Sequence, residues 1–180
     1  KGRTDKLYRN LGNGTFRDVS YEAWIEDEGM GLSATVGDIN LDGWPDIYVA
    51  NDFNSTDLIY LNNRDGSFAE SMMKMTRRAS VFSMGSDIAD LTGDGLPDII
   101  TTDMLPANHI RRIMNAGNNG DMSIFNPTYD SNQVSRNMVQ INRGYNQFSE
   151  IGYMTGMAAT DWSWACFMQD FDLDGNNDVF

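Results

Sequence analysis

The feature that most constrains this chain is a nine-residue acidic loop that occurs three times, at residues 38–46, 90–98 and 170–178. In each copy, oxygen-bearing side chains stand at positions one, three, five and nine, and glycine stands at position six. Glycine permits a sharp turn, and alternate side chains of such a turn can point inward together. Hard oxygen ligands in this number suit Ca²⁺, which accepts roughly 6–8 of them. The loops therefore predict up to three structural calcium sites.

The predicted ligands of each site are the side chains at positions one, three, five and nine, together with the backbone carbonyl of position seven. In chain order they are Asp38, Asn40, Asp42, Trp44 and Asp46; Asp90, Thr92, Asp94, Leu96 and Asp98; and Asp170, Asp172, Asp174, Asn176 and Asp178. Ligand charge ranks the sites, because more carboxylates bind the cation more tightly. We expect the third loop to bind most tightly and the second, with its neutral Thr92 hydroxyl, most weakly.

A second pattern repeats in register with the loops. It contains an asparagine, a Gly- or Asn-rich turn and a phenylalanine, and the phenylalanines are Phe16, Phe68 and Phe148. Each phenylalanine precedes the first aspartate of the next acidic loop by 22 residues. The first two copies are offset by 52 residues and the next two by 80, so one repeat carries 28 additional residues. Repeats of this length are typical of stacked or radially arranged units.

Within a repeat, short runs rich in β-branched and aromatic residues alternate with Asn, Asp and Gly, which is typical of strands and turns. Four short strands in about 50 residues indicate a β-propeller blade. We therefore predict an all-β fold that forms part of one propeller. The end of a blade is expected at 7–18, full blades at 31–71 and 83–151, the second with an insertion at about 103–136, and the start of a blade at 163–180. Incomplete blades lead us to expect a longer propeller, completed by the remainder of the polypeptide or by a partner chain.

The acidity of the chain is concentrated in the loops. The formal net charge is −13, from 26 acidic and 13 basic residues. The loops hold ten of the acidic residues, which leaves 16 against 13 basic residues elsewhere. This balance disfavours a nucleic-acid partner, which requires a basic surface. No apolar run approaches the ~20 residues of a membrane-spanning helix, and no signal peptide is present in the sequence.

Other kinds of site are less consistent with the sequence. An EF-hand needs a glutamate at position twelve, where Val49 and Thr101 stand. His109 is the only histidine and Cys166 the only cysteine, and no motif surrounds either with partners for catalysis. We therefore expect no catalytic or cofactor-binding residues. Four aromatic residues near the third loop could stack on a sugar; they are Trp162, Trp164, Phe167 and Phe171. For Trp162 and Trp164, apolar residues at the equivalent places of the other repeats favour core packing instead.

The insertion is the expected place for recognition. In a meandering blade, successive connections alternate between the two faces of the propeller. The insertion joins strands two and three, so it is expected on the face opposite the acidic loops, together with the blade-to-blade connections 19–30, 71–82 and 152–162. Long loops on a rigid scaffold often carry function. The candidate ligand face includes His109, Arg111, Arg112, Phe125, Tyr129, Arg77, Arg78, Glu26 and Asp27. The alternative is that the insertion only packs as a lid.

Together, the acidic loops and the phenylalanine turns resemble the FG-GAP/VCBS repeat family, whose members build integrin-α-like β-propellers. The stretches 7–19, 37–52 and 159–180 are most similar to secreted Bacteroidetes proteins that carry an ASPIC/UnbV domain. The resemblance covers nearly the whole chain except about 104–136. It implies a propeller and calcium ligation by the loop residues named above, with Thr92 departing from the usual Asp or Asn.

The resemblance also suggests what the chain does. The family serves adhesion, lectin-like and enzyme-appended roles, so we expect a non-enzymatic, extracellular or cell-surface module that binds a protein or a glycan. Two alternatives stay open at this point. One is the propeller portion of a carbohydrate-active enzyme such as a lyase, and the other is a scaffold subunit of a cell-envelope assembly.

Overall fold

The computed structural model describes residues 3–53, 55–117 and 132–180, and short antiparallel strands dominate it. The strands of the first half are β1 (Arg3–Thr4), β2 (Tyr8–Asn10), β3 (Phe16–Asp18), β4 (Glu28–Gly29), β5 (Gly31–Gly37), β6 (Asp46–Asn51), β7 (Leu58–Asn62) and β8 (Phe68–Glu70). Those of the second half are β9 (Ala79–Ser80), β10 (Gly85–Ala89), β11 (Asp98–Thr102), β12 (Gln133–Val134), β13 (Met138–Asn142), β14 (Phe148–Glu150), β15 (Met168–Gln169) and β16 (Asp178–Val179). Two helices, α1 (Met72–Met75) and α2 (His109–Gly117), lie in connections between strands.

Two four-stranded sheets form complete blades. The first has the order β5-β6-β7-β8 and the second β10-β11-β13-β14, with antiparallel neighbours throughout. Before them β2 pairs with β3, and after them β15 pairs with β16, each as a two-stranded sheet. This arrangement confirms the prediction of an all-β, propeller-like fragment.

The two complete blades share one register. Ile47 lies opposite Tyr60 in the first blade, and the equivalent Ile99 lies opposite Gln140 in the second. The second strand of each blade is almost wholly buried, because both of its faces are covered by neighbouring blades. When both faces of a strand are buried, its sequence is a continuous apolar run and does not alternate between apolar and polar residues. Residues 47–50 show this pattern.

The first strands of the two complete blades, β5 and β10, pack against each other, and successive residues of β5 point toward opposite neighbours. Thr35 donates a hydrogen bond to the Ser86 carbonyl of the next blade at 2.9 Å, and Gly37 lies against Ile88. Residues 33, 35 and 37 therefore face the following blade, whereas residues 32, 34 and 36 face the preceding one. The core between the complete blades is apolar and includes Ile39, Tyr48, Ala50, Ile59, Met72, Met75, Ala79, Ile99 and Phe148.

A buried polar network also joins the complete blades. The Tyr48 hydroxyl donates to Asp57 at 2.6 Å, and Thr101 of the second blade donates to the Tyr48 oxygen at 3.0 Å. Ser83 and the Asn51 backbone N–H donate to the same carboxyl group at 2.9 Å each. Burial raises the pKa of Asp57 to about 6, although these donors oppose the shift.

The raised pKa of Asp57 predicts a pH dependence of stability. The pKa is higher in the folded chain than the ordinary value of 3.8, so folding favours the protonated form. This contribution is complete below pH 3.8 and is lost as the pH rises through about 6, amounting to at most about 3 kcal/mol. We expect Asp57→Asn to remove it, because asparagine carries no charge and Asn137 fills the equivalent place in the second blade, with its oxygen accepting the Asp103 N–H.

The measurement is urea unfolding between pH 4 and 7 for the wild type and for Asp57→Asn. The difference between the two free-energy curves isolates this carboxyl group from the other acids. A difference that does not change across this range would show that Asp57 does not titrate there.

The prediction that Trp162 and Trp164 pack in the core is wrong. Trp162, Trp164, Phe167 and Phe171 are all more than half exposed. Cys166 and Met168 fill the contact with the second blade instead. Phe167 lies on the opposite side of its strand from these two residues, where no blade follows among the described residues.

Among the residues that the structure describes, no helix is long and apolar enough to cross a membrane.

Candidate metal loops and the opposite face

All three acidic loops adopt one hydrogen-bonded turn. The backbone N–H groups of positions five and six donate to the carboxylate at position one, and the N–H of position seven donates to the carboxylate at position five, at 2.8–3.2 Å. The position-six glycines have φ between +85° and +92°, a left-handed conformation that glycine adopts without a steric cost. The repeated sequence thus folds into a repeated geometry in which the carboxylates turn toward the loop interior.

The third loop brings three carboxylates close together. Ligand oxygens of Asp170, Asp172 and Asp174 lie within 4.8 Å of one another. The like charges repel one another, and a bound cation would offset that repulsion. In the first and second loops, position three is Asn40 and Thr92, so fewer carboxylates converge there. The donor set of hard oxygens fits a divalent ion such as Ca²⁺.

The position-nine aspartates have a second role that sequence reasoning missed. Asp46 and Asp98 are fully buried, and each joins its loop to the third strand of the blade. One oxygen of Asp98 accepts the Leu91 N–H at 2.9 Å and the other accepts the Asn142 N–H at 2.8 Å. Asp46 makes the same pair of contacts with Ile39 and Asn62. Burial raises the pKa of both aspartates, and the amide donors oppose that shift.

The third-strand asparagines complete this connection. The side-chain amides of Asn62 and Asn142 donate to the carbonyls of Pro45 and Pro97. The amide of Asn142 also donates to the Ile39 carbonyl in the loop of the preceding blade. The recurrence of asparagine at this place in the repeat was a visible signal, although the sequence alone did not assign it a role.

Two further features of the loops were not anticipated. Arg64, in the turn between β7 and β8, forms an ion pair with Asp42 at 3.0 Å. Position four is left-handed in every copy, with φ of +56° at Leu41, +72° at Gly93 and +64° at Leu173. The glycine at this place in the second loop was the available signal, because a left-handed conformation strains residues that have a Cβ atom.

The strain at position four gives a test of the loop geometry. Leu41 is half exposed, so Leu41→Gly removes little packing and relieves the left-handed backbone. We expect the variant to be more stable by about 0.5–1 kcal/mol. The matched control is Leu11→Gly, at a similarly exposed leucine outside the left-handed region, which should be destabilising. Urea unfolding of both variants decides the matter, and a destabilised Leu41→Gly would contradict the loop conformation.

On the opposite face, the insertion meets the blade-to-blade connections. Strand β12 pairs in parallel with β9, which joins the end of the insertion to the connection at 71–82. Arg111 of helix α2 forms an ion pair with Asp161 at 2.9 Å, which joins the start of the insertion to the connection at 152–162. The predicted meeting of these segments is thus observed in the described residues.

The candidate ligand residues differ in their surroundings. His109, Arg111, Arg77 and Arg78 are exposed, and Arg112 donates to the Pro106 carbonyl. Exposed apolar side chains accompany them on α2, namely Ile110, Ile113 and Met114. At the first connection Glu26 is exposed, whereas Asp27 accepts the Tyr60 hydroxyl at 2.9 Å. Phe125 and Tyr129 lie outside the described residues.

Comparison with known proteins agrees with this geometry. No curated protein matches the chain. The profile of the FG-GAP-like repeat matches residues 2–49 and again residues 38–101, so it covers more than half of the sequence. Each match includes the first acidic loop, and the second extends through the second acidic loop into β11. The shared loop geometry and this match place the chain in the FG-GAP-like repeat family.

Proposed function

We propose that this chain is a calcium-stabilised propeller module that binds a protein or a glycan outside the cell. The observation that carries the calcium assignment is the common turn of the three loops, with three carboxylates converging in the last one. The ions would be held by the loop ligands named above. They would offset the repulsion between carboxylates and tie strand one to strand two of each blade.

The binding role rests on the opposite face. Helix α2 presents Ile110, Ile113 and Met114 to solvent, each more than half exposed. Three such residues on one exposed helix, beside arginines, are typical of a recognition surface rather than of a solvated one. The basic residues of an otherwise acidic chain favour a ligand that carries negative charge.

We further propose that the module works outside the cell and catalyses no reaction. Extracellular calcium suits loops of this type, since extracellular modules bind it at about 10⁻⁴–10⁻³ M. A secreted or outer-surface bacterial protein, as in the Bacteroidetes proteins that the sequence resembles, is part of the same proposal. The module itself would be non-enzymatic.

The binding surface can be tested by a panel of anionic glycans and extracellular proteins on an array. Ile113→Glu and Arg77→Glu should abolish any interaction seen with the wild type, because both change the insertion face. The control is Tyr145→Glu, at a fully exposed residue in the turn between β13 and β14. Loss of binding in this control but not in the other variants would place the ligand on the loop face and overturn the assignment.

A further inference from the structure

The turn between β7 and β8 carries an arginine that reaches the first acidic loop. The guanidinium of Arg64 pairs with the carboxylate of Asp42 at 3.0 Å, and the two side chains are 56% and 17% exposed. Asp42 stands at position five of the loop, so it belongs to the ligand set predicted for calcium. A cation supplied by the chain itself therefore contacts a carboxylate that would bind the metal ion.

The contacts of position five differ among the three loops. In every loop, one oxygen of this aspartate accepts the N–H of position seven. In the first loop the other oxygen, Oδ2 of Asp42, accepts from Arg64 at 3.0 Å and from the Asn40 amide at 3.2 Å. In the described part of the chain, the corresponding oxygens of Asp94 and Asp174 accept no hydrogen bond. The first loop thus differs from the other two in having this oxygen held by a cationic donor.

The backbone at Arg64 is unusual for an arginine. Its φ is +67°, and the repeat offsets of 52 and 80 residues make Gly12 and Gly144 its equivalents, with φ of +78° and +73°. Glycine adopts this left-handed conformation without a steric cost, whereas a residue with a Cβ atom is strained there. The geometry of the turn therefore favours glycine and does not require arginine. The contact that distinguishes the arginine is its ion pair with the loop.

Arginine and calcium would compete for Asp42. The guanidinium keeps its positive charge at any ordinary pH, so it repels a divalent cation that approaches the same carboxylate. Calcium affinity depends on the charge of the ligand set, and the ion pair neutralises part of that charge. Without calcium, the same pair offsets the repulsion between Asp38 and Asp42. One side chain thus has opposite effects on the loop with and without calcium.

We propose that Arg64 is an internal counter-ion that sets the calcium response of the first loop. It stabilises the loop when calcium is scarce, and it must release Asp42 when the ion binds. The first loop therefore binds calcium more weakly than its carboxylates alone would. This inference rests on the calcium binding proposed above and assigns to one residue the regulation of one site.

Calorimetric titration tests the competition in a chain where Asp90→Asn and Asp170→Asn weaken the other two loops. In this background, Arg64→Gln should bind calcium about fivefold more tightly, a factor at the upper end for a solvent-exposed ion pair. Glutamine removes the charge and keeps a side chain on the left-handed backbone, so the strain is unchanged. The matched control is Arg143→Gln, in the equivalent turn of the second blade. Arg143 is exposed and forms no ion pair among the described residues, so its substitution should change the affinity by less than about twofold at ~0.15 M salt.

Melting temperatures give a second readout, measured in the chain without the asparagine substitutions. In EGTA, Arg64→Gln should melt below the wild type, because Asp42 loses its counter-ion. Calcium should then raise the melting temperature of Arg64→Gln by more than it raises that of the wild type. A purely structural ion pair would produce the first difference and not the second.

The outcomes separate this inference from the calcium assignment itself. Tighter calcium binding by Arg64→Gln than by Arg143→Gln, with the larger calcium-induced rise in melting temperature, supports the role of Arg64. Equal or weaker binding by Arg64→Gln, or an equal rise, would overturn it and leave calcium binding intact. If neither the background nor Arg64→Gln binds calcium, the inference is also overturned. Titration of the unsubstituted chain then shows whether the calcium assignment fails with it.

Discussion

Asp98→Ala should lower the free energy of unfolding by about 2–5 kcal/mol, measured in urea without calcium. The wild-type carboxylate is fully buried and accepts the N–H groups of Leu91 and Asn142. Alanine leaves both donors without partners, and each buried unsatisfied donor costs about 1–3 kcal/mol. The effect is expected without metal because these contacts are internal to the blade.

The matched control is Asp94→Ala in the same loop. Asp94 is exposed and accepts only the exposed Leu96 N–H among the described contacts, so water can replace it. Its loss should cost less than about 1 kcal/mol in the absence of calcium. If the two variants were equally stable, the role of the position-nine aspartate in joining the loop to the third strand would be wrong.

Removing calcium should lower the melting temperature by roughly 5 °C or more. A ligand present at 100 times its dissociation constant stabilises the folded chain by about 2.7 kcal/mol per site. For a domain of this size, each kcal/mol corresponds to about 2–4 °C. Differential scanning fluorimetry with calcium and with EGTA measures the shift. An unchanged melting temperature would contradict a structural role for the ion.

Single substitutions then rank the loops. In the presence of calcium, Asp174→Ala should lower the melting temperature more than Thr92→Ala, because it removes a carboxylate from the three-aspartate cluster. Thr92 contributes only a neutral hydroxyl. Both variants should melt alike in EGTA. The reverse order in calcium would show that carboxylate number does not determine which loop binds most tightly.

The regular parts of this fold could be predicted from the sequence because they repeat. The loops and the phenylalanine turns recur at fixed offsets, and the β-branched runs between them match the observed strands of the complete blades. The sharp turn at position six could be predicted from its glycine, because the backbone there is left-handed and glycine adopts that conformation easily. These features depend on local chemistry, which the sequence displays directly.

Contacts between repeats were harder to predict. The pairing of Asp98 with Asn142 spans 44 residues, and the donation from Thr101 to Tyr48 crosses between blades. The exposure of Phe167 depends on whether a neighbouring blade covers it, which residue type does not reveal. Leucine at position four conceals the left-handed backbone, because side-chain identity favours a different conformation there.

The central claim is that the repeated acidic loops bind calcium, and calorimetric titration tests it most directly. Calcium titrated into the chelator-treated chain should give saturable binding, with up to three ions per chain. A variant carrying Asp38→Asn, Asp90→Asn and Asp170→Asn removes one carboxylate from each loop, and it should lose most of the signal while remaining folded by circular dichroism. Absence of binding in the wild type at millimolar calcium, or equal binding by the folded variant, would contradict the claim.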